Sequence, residues 1–245
     1  MNARPKILIL CGGRGTRAYP HTVQLPKPLL DVNGCPIVYH VMTIFAEQGF
    51  DRFVLAAGFR ADMIRDFAST LPSGWEVDVV DGGEEAHKGD RVLSSRELLG
   101  TEFVVTYGDG VGNVDLDELL HFHRAHPGCA TVTVVPLPSQ YGTLELGPSG
   151  RVTRFLEKPR LDDHWINAGF MVMDQRVFDG WAGDLESDVL PALGHRGELY
   201  AYRHRGFWKS MDTYKDALDL ESIAKTSESE HGQPPWLLSN RVASS

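Results

Sequence analysis

Cysteine is scarce in this chain: Cys11, Cys35 and Cys129 are the only three among 245 residues. An odd, widely spaced set does not build a disulfide framework. No apolar run approaches the length of a bilayer-spanning helix, and the N-terminus lacks the hydrophobic segment of a signal peptide. A cytoplasmic protein with no membrane partner is expected. Positive charge is in deficit, 24 Lys and Arg against 33 Asp and Glu. That balance argues against a nucleic-acid partner. The Gly-Lys-Ser/Thr that marks a P-loop is missing. Internal repeats and composition shifts that would mark a second domain are missing too. What remains, 42% hydrophobic and 23% charged residues, is ordinary for a globular protein. The length suits one large α/β domain with a substantial core.

What is present is concentrated in residues 7–30, ILILCGGRGTRAYPHTVQLPKPLL. Residues 7–10 are all apolar and read as a strand buried on both faces. Gly12, Gly13 and Gly15 let the backbone approach a bulky anion with its N–H groups turned inward. Arg14, Arg17 and Lys27 add permanent positive charge. The stretch reads as a cradle for a nucleoside triphosphate. Gly13 to Ala18 also satisfies the G-x-G-x-x-A dinucleotide fingerprint, which requires a helix to begin inside the motif. Pro20, Pro26 and Pro28 follow, and residues before proline avoid helical angles. A winding, extended loop is therefore expected, and a dinucleotide-dependent oxidoreductase is the lesser alternative.

Further along, Cys35-Pro36-Ile37 opens a helix that Gly49 ends, with Ile37, Val41, Ile44 and Phe45 on its core face. Residues 53–57 and 76–80 read as strands with a helix over 61–71 between them. The loop 81–85 and Gly89 lie at a strand's carboxyl end. Residues 103–107 form another buried strand running into Gly108-Asp109-Gly110. Asp115 and Glu118 form a capping box for the next helix. His121, His123 and His126 on that helix fit no standard metal-ligand spacing. Strands are expected over 130–135, 169–173 and 198–204, with a hairpin of 143–146 and 151–155 about Pro148-Ser149-Gly150. Asp212 caps a last helix. The alternation of strand and helix predicts a mainly parallel mixed sheet flanked by helices, over residues 1–225. Residues 226–245, rich in Ser, Glu, Gln and Pro, read as a loosely ordered tail.

Two separated carboxylates, Asp109 and Asp212, and two lysines, Lys27 and Lys158, suit phosphate chemistry assisted by Mg²⁺. At this point the chain resembles the sugar-1-phosphate nucleotidyltransferases. Gly12 to Arg17 with Lys27 matches their G-G-x-G-T-R and P-K-P signature. A strand-end Asp, Glu157-Lys158-Pro159, Asn167-Ala168-Gly169 and a late Asp follow in the family's order, over about residues 6–222. Members that act on CTP and glucose 1-phosphate are the most similar, through Tyr107 to Val111, Gly83-Glu84-Glu85, Trp165-Ile166-Asn167 and Gly206 to Thr213. The chain differs from them in the short bridge 71–75, in Gln24 and Leu25 before P-K-P, and in Lys209, a cation beside Asp212.

The resemblance implies a Rossmann-like nucleotidyltransferase fold, Mg²⁺ as cofactor and a homo-oligomer. It places Leu10, Gly12, Gly13, Arg14, Gly15, Thr16, Glu84, Gly89 and Gly108 at the nucleotide. It places Gly142, Glu157, Lys158, Asn167 and Gly169 at the sugar phosphate. Arg17, Lys27, Asp109 and Asp212 would be catalytic, the two aspartates as metal ligands. The implied reaction passes a nucleotidyl group, CMP from CTP, to glucose 1-phosphate, releasing pyrophosphate. The same chemistry with another NTP or sugar is the alternative, and a silent nucleotide-sugar binder a more distant one.

Overall fold

In the computed structural model, which describes residues 4–238, β1 (Lys6–Leu10) enters a winding segment with 3-10 turns at Thr16–Ala18 and Lys27–Leu29. No α-helix forms there, as the prolines require. A minimal antiparallel pair, β2 (Asp31–Val32) and β3 (Cys35–Pro36), leads to α1 (Ile37–Ala46). Then come β4 (Arg52–Ala57), α2 (Ala61–Ala68), β5 (Glu76–Asp81), α3 (Lys88–Ser94), β6 (Glu102–Tyr107), β7 (Gly110–Gly112) and α4 (Leu116–Arg124). The second half holds β8 (Ala130–Pro138), the hairpin β9 (Thr143–Leu146) and β10 (Val152–Leu156), β11 (Arg160–Asn167) and β12 (Met171–Asp174). It closes with α5 (Leu190–His195), β13 (Leu199–Arg203), β14 (Trp208–Ser210) and α6 (Tyr214–His231).

Eight strands form one sheet in the order β11-β8-β12-β6-β1-β4-β5, with β13 also paired to β8. β1 runs parallel to β4 and β6, and β4 parallel to β5. β12 is antiparallel to β6 and β8. The expected mainly parallel mixed sheet is therefore present, with the hairpin as a separate two-stranded piece. The period-two alternation of a strand is visible in β1. Ile7 and Ile9 join residues of α1, α2, α4 and α6 in one core cluster, whereas Leu8 and Leu10 join Val92 of α3 and Leu190 and Leu193 of α5 in the other. Helices thus cover both faces. Each such side chain contributes on the order of 1.5–3 kcal/mol by leaving water.

Two expectations need correcting. Residues 226–238 are not a loose tail: α6 continues to His231, Gly232 caps it with φ 77, and Trp236 beyond the cap is buried. The polar composition hid this because only one face of α6 and one aromatic anchor meet the core; positions from 239 on lie outside the described residues. The loop expected over 81–85 leads into α3, which carries Gly89 and is held at its start by the His87 N–H donating to Asp90 Oδ2 at 3.1 Å. Asp115 caps α4, accepting from the Glu118 N–H at 3.0 Å, and Glu118 Oε2 accepts from the Tyr202 hydroxyl at 3.1 Å. The cap of α6 is Thr213, paired reciprocally with Asp216, which leaves the Asp212 carboxylate free for other work. His123 and His126 both meet Thr131 Oγ1, at 2.9 and 2.7 Å, and so tie α4 and the turn after it to β8.

Candidate active site

β4 lies on one side of β1 and β6 on the other, so the sheet order reverses at β1. Open α/β sheets hold ligands at the carboxyl ends beside such a reversal. A cleft of about 360 Å³ opens there. Its walls include Leu10, Gly12, Gly13, Gly15, Arg17 and Lys27 from the glycine-rich segment, Lys88 and Arg91 from α3, and Tyr107 and Asp109 from the end of β6.

Asp109 and Asp212 are far apart in sequence, and a local device brings them together. β14 pairs antiparallel with β7, placing Ser210 opposite Gly110, and the Met211 N–H donates to the Asp109 carbonyl at 2.8 Å. Lys27 then reaches both carboxylates, its Nζ 2.7 Å from Asp109 Oδ2 and 3.2 Å from Asp212 Oδ1. Arg17 Nη2 adds a contact to the same Asp212 oxygen at 3.0 Å. Lys27 is only 7% exposed. A buried ammonium is tolerated only where opposite charge meets it, and here two carboxylates do. Lys209, expected beside Asp212, turns away to Asp216 and Asp219 at 3.3 and 3.5 Å.

Arg91 is the residue that sequence reasoning missed. It is 3% exposed and donates to the Ala57 carbonyl at 2.6 Å and the Glu84 carbonyl at 3.3 Å. Burial lowers its pKa from the usual arginine value. Its guanidinium passes directly beneath the loop, where a Cβ on Gly12 would lie 1.9 Å from Nη1. Gly12 is thus required by close approach. No sequence signal marks Arg91, because the seven-residue α3 is too short and charged to show a periodic face.

Of the other expected nucleotide residues, Leu10, Gly13 and Gly15 line the cleft, and Arg14, Thr16, Glu84 and Gly108 lie outside its lining. Gly108 donates its N–H to the Leu10 carbonyl at 3.2 Å, and the exposed Thr16 opens the first 3-10 turn. Arg14 Nη2 pairs with Glu84 and Glu85 at 3.1 and 2.6 Å, linking the two loops through exposed side chains worth little to stability. Gly89 lies in α3. A Cβ there would lie 2.1 Å from the Gly183 carbonyl oxygen, so its small size serves the packing of α3 against residues 183–184.

On the sugar side the expected residues divide. Asn167 Nδ2 donates to the Tyr107 hydroxyl at 3.1 Å, and Asn167 Oδ1 accepts from the Gly169 N–H at 2.9 Å. Both therefore adjoin a cleft residue. Gly142 and Glu157 belong to the hairpin region, where a Cβ on Gly142 would lie 3.1 Å from Glu157 Oε2. Glu157 and Lys158 are exposed, do not line the cleft, and form no ion pair among the described residues.

A glycine-rich floor, a buried lysine and two carboxylates at the switch point of a parallel sheet define a phosphate-handling enzyme of the nucleotidyltransferase class. The chain belongs to the nucleotidyl transferase family, whose model matches residues 6–224. Its similarity extends to named sugar-1-phosphate enzymes. It is 34% identical over 257 residues to the probable glucose-1-phosphate cytidylyltransferase of Bacillus subtilis, covering 94% of this chain and 98% of that one. It is 32% identical over 258 residues to glucose-1-phosphate cytidylyltransferase of Salmonella typhi, with the same coverage. Mannose-1-phosphate guanylyltransferase 1 of Arabidopsis thaliana is 32% identical over 253 residues, 96% of this chain and 70% of that one. Among solved structures, a putative glucose-1-phosphate thymidylyltransferase from Bacillus anthracis superposes with TM-score 0.70 at 21% identity, covering 90% of this chain and 95% of that one. That likeness carries the fold alone.

Proposed function

We propose that this protein transfers CMP from CTP to glucose 1-phosphate with the help of Mg²⁺, giving CDP-glucose and pyrophosphate. The observation that carries the reading is the pair Asp109 and Asp212 bracketing one positive charge, the Lys27 ammonium. Two carboxylates that already share a cation fit a divalent one. Mg²⁺ takes one or two carboxylates and completes its shell with phosphate oxygens and water. Among the described residues no third His, Cys, Asp or Glu joins the pair, which leaves those positions to substrate. When bound, the ion neutralises and aligns phosphate oxygens.

The chain's own groups do the rest. N–H groups of residues 12–16, with Arg17 and Lys27, hold the triphosphate. Glu84 lies toward the base. Gly142, Glu157, Asn167 and Gly169 take the sugar, and Lys158 its phosphate. Lys158 keeps φ at 46 although it is not glycine. Such backbone strain gathers at functional positions and supports the assignment. The sugar-phosphate dianion is already a nucleophile and attacks the α-phosphorus in line, so positioning and charge neutralisation carry catalysis without a general base. Preference for CTP and glucose 1-phosphate rests on the two cytidylyltransferase relatives. The guanylyltransferase relative supports the second reading, another NTP and hexose phosphate. A homo-oligomer belongs to the same proposal, and exposed apolar side chains on the hairpin, Leu146 at 68% and Phe155 at 59%, support it.

A pyrophosphate-release screen across the four NTPs and several hexose 1-phosphates tests the reading. Turnover is expected to be fastest with CTP and glucose 1-phosphate and to stop on chelation of divalent metal. Equal rates with every NTP would remove the cytidylyl assignment; no turnover with any pair would remove the reaction. Lys158→Ala is expected to raise KM for the sugar phosphate by roughly tenfold or more, the effect of a charge-assisted contact worth about 1.5–3 kcal/mol. KM for the NTP should stay put. An unchanged sugar-phosphate KM would return Lys158 to the solvated surface.

A further inference from the structure

The Tyr107 hydroxyl stands in a chain of hydrogen bonds whose direction is fixed from both ends. It donates to Glu186 Oε1 at 2.7 Å, and Asn167 Nδ2 donates to it at 3.1 Å. Glu186 Oε1 also accepts from Lys88 Nζ at 2.5 Å, while Oε2 is buried without a hydrogen-bond partner among the described residues. A carboxylate oxygen in this position accepts, so the tyrosine proton must point at Glu186. The phenol oxygen is then left to accept, and only the NH₂ end of Asn167 can meet it. At the far end the Gly169 N–H, which can only donate, holds Asn167 Oδ1 at 2.9 Å. Neither end of the Asn167 amide can flip without setting donor against donor or acceptor against acceptor. The exposed Asn167 is left with one N–H and one oxygen lone pair to offer, the complement of a hydroxyl that both accepts and donates.

We propose that Glu186 and Tyr107 are positioning residues that lock the Asn167 amide for a hexose hydroxyl and so set the affinity for the sugar phosphate. This rests on the proposed role of Asn167 at the sugar. Glu186 comes from the turn Leu185–Val189, between β12 and α5, and Lys88 from α3. Tyr107 is half-buried at the end of β6, against Gly169, where a Cβ would lie 3.0 Å from the ring. Three separate elements thus converge on one amide.

The experiment is a kinetic double-mutant cycle on the full chain, using the NTP and sugar 1-phosphate pair with the fastest pyrophosphate release. Tyr107→Phe is expected to raise KM for the sugar phosphate about tenfold and to leave KM for the NTP within about twofold. Glu186→Leu should do the same, and Glu186→Gln, which retains an acceptor oxygen, should restore most of the loss. Tyr107→Phe should add nothing further in an Asn167→Ala background, because its effect runs through that amide. Equal and additive losses in kcat and both KM values, with no rescue by Gln, would make Glu186 and Tyr107 merely structural and overturn the proposal. If Asn167→Ala alone leaves the sugar-phosphate KM unchanged, the assignment of Asn167 to the sugar fails instead. Thermal unfolding of each variant identifies any that lose the fold, and if Glu186→Leu is one of them, Tyr107→Phe in the wild-type and Asn167→Ala backgrounds decides.

Discussion

Asp109→Asn and Asp212→Asn should each lower kcat by roughly a hundredfold or more, the scale of losing one electrostatic contact in a transition state. Each should leave the melting temperature close to that of the wild type. The structure gives a reason for both halves. Asp212 does not cap α6, since Thr213 and Asp216 do so, and the link that holds Asp109 near it runs through the backbone, from the Met211 N–H to the Asp109 carbonyl. Neither bond needs a carboxylate. Asn keeps the shape and an acceptor oxygen, and Lys27 retains the other aspartate as counter-charge. The double variant is different. It leaves a buried lysine with no carboxylate, so its stability loss should exceed the sum of the singles. Steady-state kinetics with thermal unfolding decides: a single variant that melts early yet keeps its rate would make that aspartate structural.

That geometry was only partly legible in the sequence. Strongly periodic or uniformly apolar stretches declared themselves, and β1, β4, β6 and α1 lie where patterning puts them. The winding form of the glycine-rich loop was legible because glycine and proline constrain the backbone wherever they stand. The pairing of Asp109 with Asp212 could be expected from chemistry, but its cause, the three-residue strands β7 and β14, is too short to leave a pattern. Arg91 was invisible for a related reason. A buried arginine is held by carbonyls of distant residues, Ala57 and Glu84, and nothing local announces them. The polar tail misled in the opposite direction, because composition averages over a helix with one buried face.

Trp236→Ala should cost about 3–5 kcal/mol of stability, the range for emptying a well-packed aromatic site. Trp236 is 1% exposed and lies in the same core cluster as α1 and α6. Its ring meets His40 edge-on with centroids 5.2 Å apart, and Phe207 at 6.0 Å. The segment that delivers it is tied down twice. The Ser227 hydroxyl donates to the Gln233 carbonyl at 2.8 Å, and Gln233 Nε2 donates to the Leu237 carbonyl at 3.2 Å. An alanine would leave a large cavity between α1 and α6 that these connections keep from collapsing. Trp236→Phe should cost far less, about 1 kcal/mol, for a specific reason. The indole Nε1 is buried without a hydrogen-bond partner among the described residues, so losing it removes an unsatisfied donor and offsets part of the lost contact. Urea unfolding of the three proteins measures the difference. The order wild type, Phe, Ala with a wide gap before Ala is the expected result. Trp236→Ala within about 1 kcal/mol of the wild type would mean that residues 232–238 contribute nothing to the core.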